Sequence, residues 1–147
     1  MQSGSGSTAG TVNGYGNLIV GYNEAPTSPS RGGSHNLIVG PKHNFSSYGG
    51  LAAGYESTVS GTYATVSGGN LNTASGDYAS VSAGTTNLDS GDYSSVSGGD
   101  TNTARQVATS VSGGQSNIAG TTTANVGEDA NVSGGGKAIP PAATTRA

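Results

Sequence analysis

The chain has no cysteine, no tryptophan, a single phenylalanine, two histidines and only 9% charged residues. Without cysteine there are no disulfides, no thiolate metal sites and no thiol redox chemistry, while the compartment is only weakly constrained. The five basic residues, Arg31, Lys42, Arg105, Lys137 and Arg146, are scattered along the chain and outnumbered by eight acidic ones. No basic stripe is available for phosphate backbones, so no nucleic-acid partner is expected. No apolar run reaches spanning length, and the residues after Met1 (QSGSGSTAG) lack the basic start and apolar centre of a signal peptide. Direct membrane insertion by this segment is therefore not expected.

Hydrophobic residues make up 31% of 147, many of them alanine, beside 27 glycines. Any core must be thin. Low hydrophobicity ordinarily favours disorder, but such disordered chains also tend to carry high charge, and here the net charge is −3. The sequence is filled instead by repetition, as in NTASGDYASVSAGTTNLDSGDYSSVSGGDTNTA, residues 72–104.

Val66, Val81, Val96, Val111 and Val126 stand fifteen residues apart. The same ruler reaches Leu51 at fifteen residues, Leu37 at fourteen and Leu18 at nineteen. This predicts about eight turns whose interior column is Leu18, Leu37, Leu51, Val66, Val81, Val96, Val111 and Val126. Other columns move with it: Tyr48, Tyr63, Tyr78 and Tyr93 lie three residues before their anchors, and Asn72, Asn87, Asn102 and Asn117 lie six after. Gly61, Gly76 and Gly91 mark one corner of each turn, and Gly54, Gly69, Gly84, Gly99 and Gly114 another.

Around each anchor, inward and outward residues alternate with the period of a strand, and no 3.6-residue period competes. Short strands joined by tight corners keep every column aligned only in a parallel coil, where each residue sits about 4.8 Å above its counterpart one turn earlier. The expected fold is all-β, a parallel β-roll or β-solenoid with turns of about fifteen residues. Asn then stacks into amide ladders and Tyr into an aromatic ladder, both of which reward identical residues. Residues 1–16 read as a Gly/Ser-rich lead-in, 17–135 as the roll, and 136–147 as a linker or tail. A loop insertion is expected at 23–34, where NEAPTSPSRGGS carries two prolines and paired glycines.

Fixing fifteen residues costs more backbone entropy than one Val and a few Ala return on burial, which points to association between chains. NLIVG, at Asn17–Gly21 and Asn36–Gly40, is apolar on both strand faces. Leu37 and Val39 are expected to fill the roll while Ile38 faces another copy, a role passed to Ser67, Ser82, Ser97 and Ser112 in later turns.

NLIVG, SSYGGLAAGYES and the NTASGxYASVSGG unit resemble the head repeats of YadA-like trimeric autotransporter adhesins, the haemagglutinin-type left-handed β-roll, over residues 17 to about 135. The resemblance implies a left-handed roll, a homotrimer with chains intertwined or side by side, and an extracellular or cell-surface location within a longer protein. It further implies attachment to a host protein, matrix or glycan receptor. Similar repeats occur in phage tail fibres, so a structural shaft of a phage particle or an extracellular filament is the alternative.

Chemistry has little to build on. There is no GxSxG, Walker loop or HExxH, and neither enzymatic activity nor a cofactor is expected. His35 and His43 read as surface turn residues rather than metal ligands. Asp77 and Asp92 share a column, where a bridging Ca²⁺ is weighed against two solvated corners. The Tyr column is either a sugar-stacking surface or glue between turns or chains. Asp89 stands where other turns have Ala74 and Ala104, so either the strand changes face there or the carboxylate finds a partner. Recurrent SVS triplets leave an ice-binding solenoid as a further alternative.

Overall fold

The computed structural model describes residues 7, 9–120 and 131–135. Corners recur so often that each strand is only two or three residues long, and the described residues form fourteen strands. They are β1 (Leu18–Val20), β2 (Leu37–Val39), β3 (Asn44–Phe45), β4 (Leu51–Ala53), β5 (Thr58–Val59), β6 (Thr65–Val66) and β7 (Thr73–Ala74). Then follow β8 (Ser80–Val81), β9 (Leu88–Asp89), β10 (Ser95–Val96), β11 (Thr103–Ala104), β12 (Ser110–Val111), β13 (Ile118–Ala119) and β14 (Asn131–Val132).

Beyond β2 the chain alternates between two sheets, so each pairing joins successive turns. The larger sheet has eight strands in the order β1-β2-β4-β6-β8-β10-β12-β14, and the smaller has six in the order β13-β11-β9-β7-β5-β3. All strand pairs are parallel. The chain is an all-β parallel β-solenoid of about seven turns, each about fifteen residues long.

One side chain per strand enters the narrow interior. The larger sheet contributes Ile38, Ala52, Val66, Val81, Val96 and Val111, and the smaller sheet Phe45, Val59, Ala74, Asp89, Ala104 and Ala119, all buried. A third interior column, Ala64, Ala79, Ser94 and Thr109, closes each turn. In the later turns the smaller sheet supplies small side chains, Ala74, Ala104 and Ala119, beside Val on the larger one.

The first three anchors of the predicted interior column are corrected by the register. Leu51 pairs with Thr65, and it is Ala52 that pairs with Val66. Leu18 and Leu37 consequently point outward, 52% and 39% exposed, Leu51 is half-buried, and Ile38 is fully buried. The expected orientation of NLIVG is thus reversed: Ile38 fills the roll while Leu37 and Val39 face out. The physical reason is turn length. Ile38, Ala52 and Val66 are fourteen residues apart, and the fifteenth residue enters only at the later corners, between Ser67 and Gly69. A slip of one residue turns a strand's side chains to the opposite face.

At the other end, Val111 pairs with Val132 rather than with a residue fifteen further on. Val126 lies outside the described residues, as does the tail 136–147. Val132 takes this rung because Asn131-Val-Ser-Gly-Gly135 repeats the corner of Ser110-Val-Ser-Gly-Gly114, whereas Val126 is followed by Gly-Glu-Asp. The loop insertion at 23–34 lies along the smaller sheet: the Phe45 amide donates to the Ser30 carbonyl at 2.8 Å and the Gly33 amide to the Phe45 carbonyl at 3.0 Å. Arg31 anchors it, donating from Nε to the His43 carbonyl at 3.0 Å and from a terminal nitrogen to the Glu24 carbonyl at 2.7 Å.

Candidate interaction surfaces and the ladders that hold them

Two outward columns run up the larger sheet. One begins Leu18, Leu37, Leu51 and continues Thr65, Ser80, Ser95, Ser110. The other begins Val20, Val39, Ala53 and continues Ser67, Ser82, Ser97, Ser112. No charged residue occurs in either. The first three turns therefore present an apolar face, with Val20 and Val39 exposed beside Leu18 and Leu37, and the next four present a grid of hydroxyls. Sequence reading missed the apolar columns because three consecutive apolar residues carry no alternation. The glycine directly after each triplet, Gly40, Gly54 and Gly68, was the available signal, since it aligns Ile38, Ala52 and Val66.

At the corner before the larger sheet stands the aromatic ladder. Tyr63 and Tyr78 have ring centroids 5.4 Å apart and Tyr78 and Tyr93 4.9 Å, with interplanar angles of 27° and 6°. Their backbones are left-handed, at φ 55°, 59° and 57°, uncommon for bulky side chains and costing about 1–2 kcal/mol each. Stacking worth about 0.5–1.5 kcal/mol per pair offsets part of this. Tyr48 is corrected out of the stack. The Tyr63 amide donates to the Tyr48 carbonyl as the Tyr78 amide does to Thr62, so Tyr48 occupies the Thr62 position, one residue earlier. Its ring meets Tyr63 edge-on at 86°. The same fourteen-residue turn that displaced Leu51 displaces Tyr48.

Asp77 and Asp92 occupy the Thr62 column and are reconciled by backbone donors. The Thr62 amide donates to Asp77 Oδ1 at 2.8 Å and the Asp77 amide to Asp92 Oδ1 at 2.9 Å, so each carboxylate reaches back one turn. Among the described residues, no group of three or more His, Cys, Asp or Glu converges.

The opposite corner is held by Asn72, Asn87, Asn102 and Asn117, all buried. Each Nδ2 donates to the carbonyl four residues earlier and to one in the next turn; for Asn72 these are Gly68 at 3.0 Å and Gly84 at 2.9 Å. The Oδ1 of Asn72, Asn87 and Asn102 accepts the backbone N–H of the next Asn at 2.9 Å. His43 enters this column two rungs earlier and is fully buried, which corrects its reading as a surface turn residue. Its Nε2 donates to the Val39 carbonyl, four residues earlier, at 3.1 Å, and its Nδ1 accepts the Ser57 amide at 3.2 Å. The imidazole thus imitates an Asn amide, one nitrogen donating and the other accepting, which requires the neutral ring.

Burial pushes the His43 pKa below its ordinary 6.5. The unfolded chain therefore takes up the proton first, so the stability His43 contributes is complete above about pH 6.5 and declines as pH falls. His43→Asn is expected to keep both hydrogen bonds, change stability by less than about 1 kcal/mol at neutral pH, and remove this acid-side loss. Urea melts at neutral and acid pH check it; a loss as large as that of His43→Ala would contradict the imitation.

Asp89 resolves the remaining question. The strand keeps its face: Leu88 pairs with Thr73 and Thr103 and stays outside, while Asp89 pairs with Ala74 and Ala104 and is buried. The carboxylate finds partners in the Ser94 hydroxyl and in the Ser80 amide, which donates to Oδ2 at 2.9 Å.

Together these faces and ladders define a repeat protein of the parallel β-solenoid class, with side chains stacked at its corners and one uncharged sheet face. Comparisons with known protein families, characterised proteins and solved structures return no match.

Proposed function

We propose that the chain is a non-enzymatic attachment module, a left-handed β-roll head that assembles as a homotrimer and contacts a host protein, matrix or glycan receptor by multivalent display. The observation that carries this reading is the larger sheet's outer face. Leu18, Val20, Leu37 and Val39 are exposed together on its first turns, in a surface without charge. Contiguous apolar surface rimmed by polar groups marks association sites. In the trimer this face turns toward the partner copies, leaving the Tyr corner outward. Such a head acts at the cell surface or outside the cell, as part of a longer protein; a phage fibre shaft would use the same assembly without a receptor.

Sedimentation equilibrium at micromolar concentration is expected to give the trimer mass, with Leu37→Lys combined with Val39→Glu shifting it to monomer. A monomeric wild-type chain would overturn the trimeric reading. Glycan and matrix-protein arrays probed with the native assembly then separate receptor from inert shaft.

A second reading is favoured by the hydroxyl grid from Thr65 to Ser112, whose rows repeat at about 4.8 Å along the axis and about 7 Å across it. Regular hydroxyls on a flat face suit an ice surface. Thermal hysteresis by the pure protein, lost in Ser82→Lys, would support ice binding, and no hysteresis removes it.

A further inference from the structure

We propose that Asp89 is a proton-binding station inside the roll, which makes the turns from β8 to β10 more stable in mild acid than at neutrality. Ser94 Oγ lies against two acceptors, Asp89 Oδ1 and, at 2.6 Å, the Gly91 carbonyl. The hydroxyl has one proton. With Asp89 ionised, that proton goes to one acceptor and the other is left facing a lone pair in a buried site. With Asp89 protonated, its O–H donates to Ser94 Oγ, the Ser94 O–H donates to the Gly91 carbonyl, and the buried charge is gone.

The surroundings supply no counter-charge. The strands packed against β9, namely β7, β8, β10 and β11, carry no ionisable side chain. Nearby Arg105 and Tyr93 are exposed, and Asp92 has its Oδ1 turned to the Asp77 amide. Burial pushes the Asp89 carboxyl up to about 6, against the opposing Ser94 and Ser80 hydrogen bonds. A carboxyl raised in the folded state binds its proton there first, so stability increases as pH falls through that value.

Alanine is this column's usual residue, and Asp89→Ala strands no donor. The Ser80 amide also reaches the Ser94 carbonyl at 3.1 Å, and Ser94 keeps Gly91 just as Thr109 Oγ1 keeps the Gln106 carbonyl at 2.9 Å. The full chain, Asp89→Ala and Asp89→Asn are melted at about pH 7.5 and about pH 5, with His43 present throughout so that its opposite response cancels in the comparison. Asp89→Ala is expected to melt at least about 4 °C above wild type at the higher pH, with the gap narrowing to about half at the lower. Asp89→Asn should follow the pH response of Asp89→Ala. A carbon-13 titration of the wild-type carboxyl is expected to have its midpoint near 6. A gap that does not change with pH, or a carboxyl titrating in the ordinary range, overturns the proposal.

Discussion

Gly76→Ala is expected to destabilise the roll by about 3 kcal/mol or more, a large effect for a single methyl group. A Cβ at this corner would be driven into the carbonyl of Gly91 and close to the Asp92 amide nitrogen, backbone atoms of the turn above. Gly61 meets the same obstacle in Gly76. Positive φ is not the reason, for neither residue is left-handed; the reason is that turns stack at strand spacing with no layer of side chains between them. Relief would require parting the turns, and the Ser75 amide is held to the Asp89 carbonyl at 2.7 Å beside the clash. A urea melt checks it. A midpoint matching wild type would mean that the stack can open at a corner without loss.

Asn87→Ala is the second large effect, expected to cost about 2–4 kcal/mol. The substitution leaves the buried Asn102 amide without its acceptor at 2.9 Å and the Ala83 carbonyl without its donor at 3.1 Å. The Gly99 carbonyl keeps the Thr85 amide and is spared. The orphaned buried Asn102 amide costs about 1–3 kcal/mol, the Ala83 carbonyl belongs to an exposed residue and turns to water, and the lost volume adds a cavity. Amide exchange gives a sharper reading than the midpoint: protection of Asn102 should fall far more than that of Val66, several rungs away. Asn87→Asp should fare no better, since a carboxylate accepts from Asn102 but cannot donate to Ala83. Tolerance of either substitution would reduce the Asn ladder from a clamp to a filler.

Much of this architecture was legible in the sequence because a parallel coil turns spatial stacking into a linear period. Between Val66 and Val111 the columns keep a period of fifteen, so strand type, corner positions and the Asn column could be read by counting. The count failed where turn length changed. Between Ile38 and Val66 the turns hold fourteen residues, and a ruler set on leucine absorbed the missing residue by moving from the inner face to the outer one. That single step misplaced Leu18, Leu37, Leu51 and Tyr48 together. It also hid the apolar outer face, now the main support for self-association.

His43 and Asp89 were illegible for a different reason. Each breaks a column by residue type, and type alone does not say whether an unusual residue is expelled to solvent or accommodated. His43 stays inside because its two ring nitrogens reproduce the donor and acceptor of an amide at the same spacing. Asp89 stays inside because Ser94, where neighbouring turns have Ala79 and Thr109, brings a hydroxyl to its carboxylate. Periodicity was enough to establish the β-coil, its pitch and its corners, since those follow from which residues repeat. Which face of each strand points inward, and which polar groups the interior accepts, was decided by tertiary structure. Both depend on the register between turns and on hydrogen bonds between residues far apart along the chain.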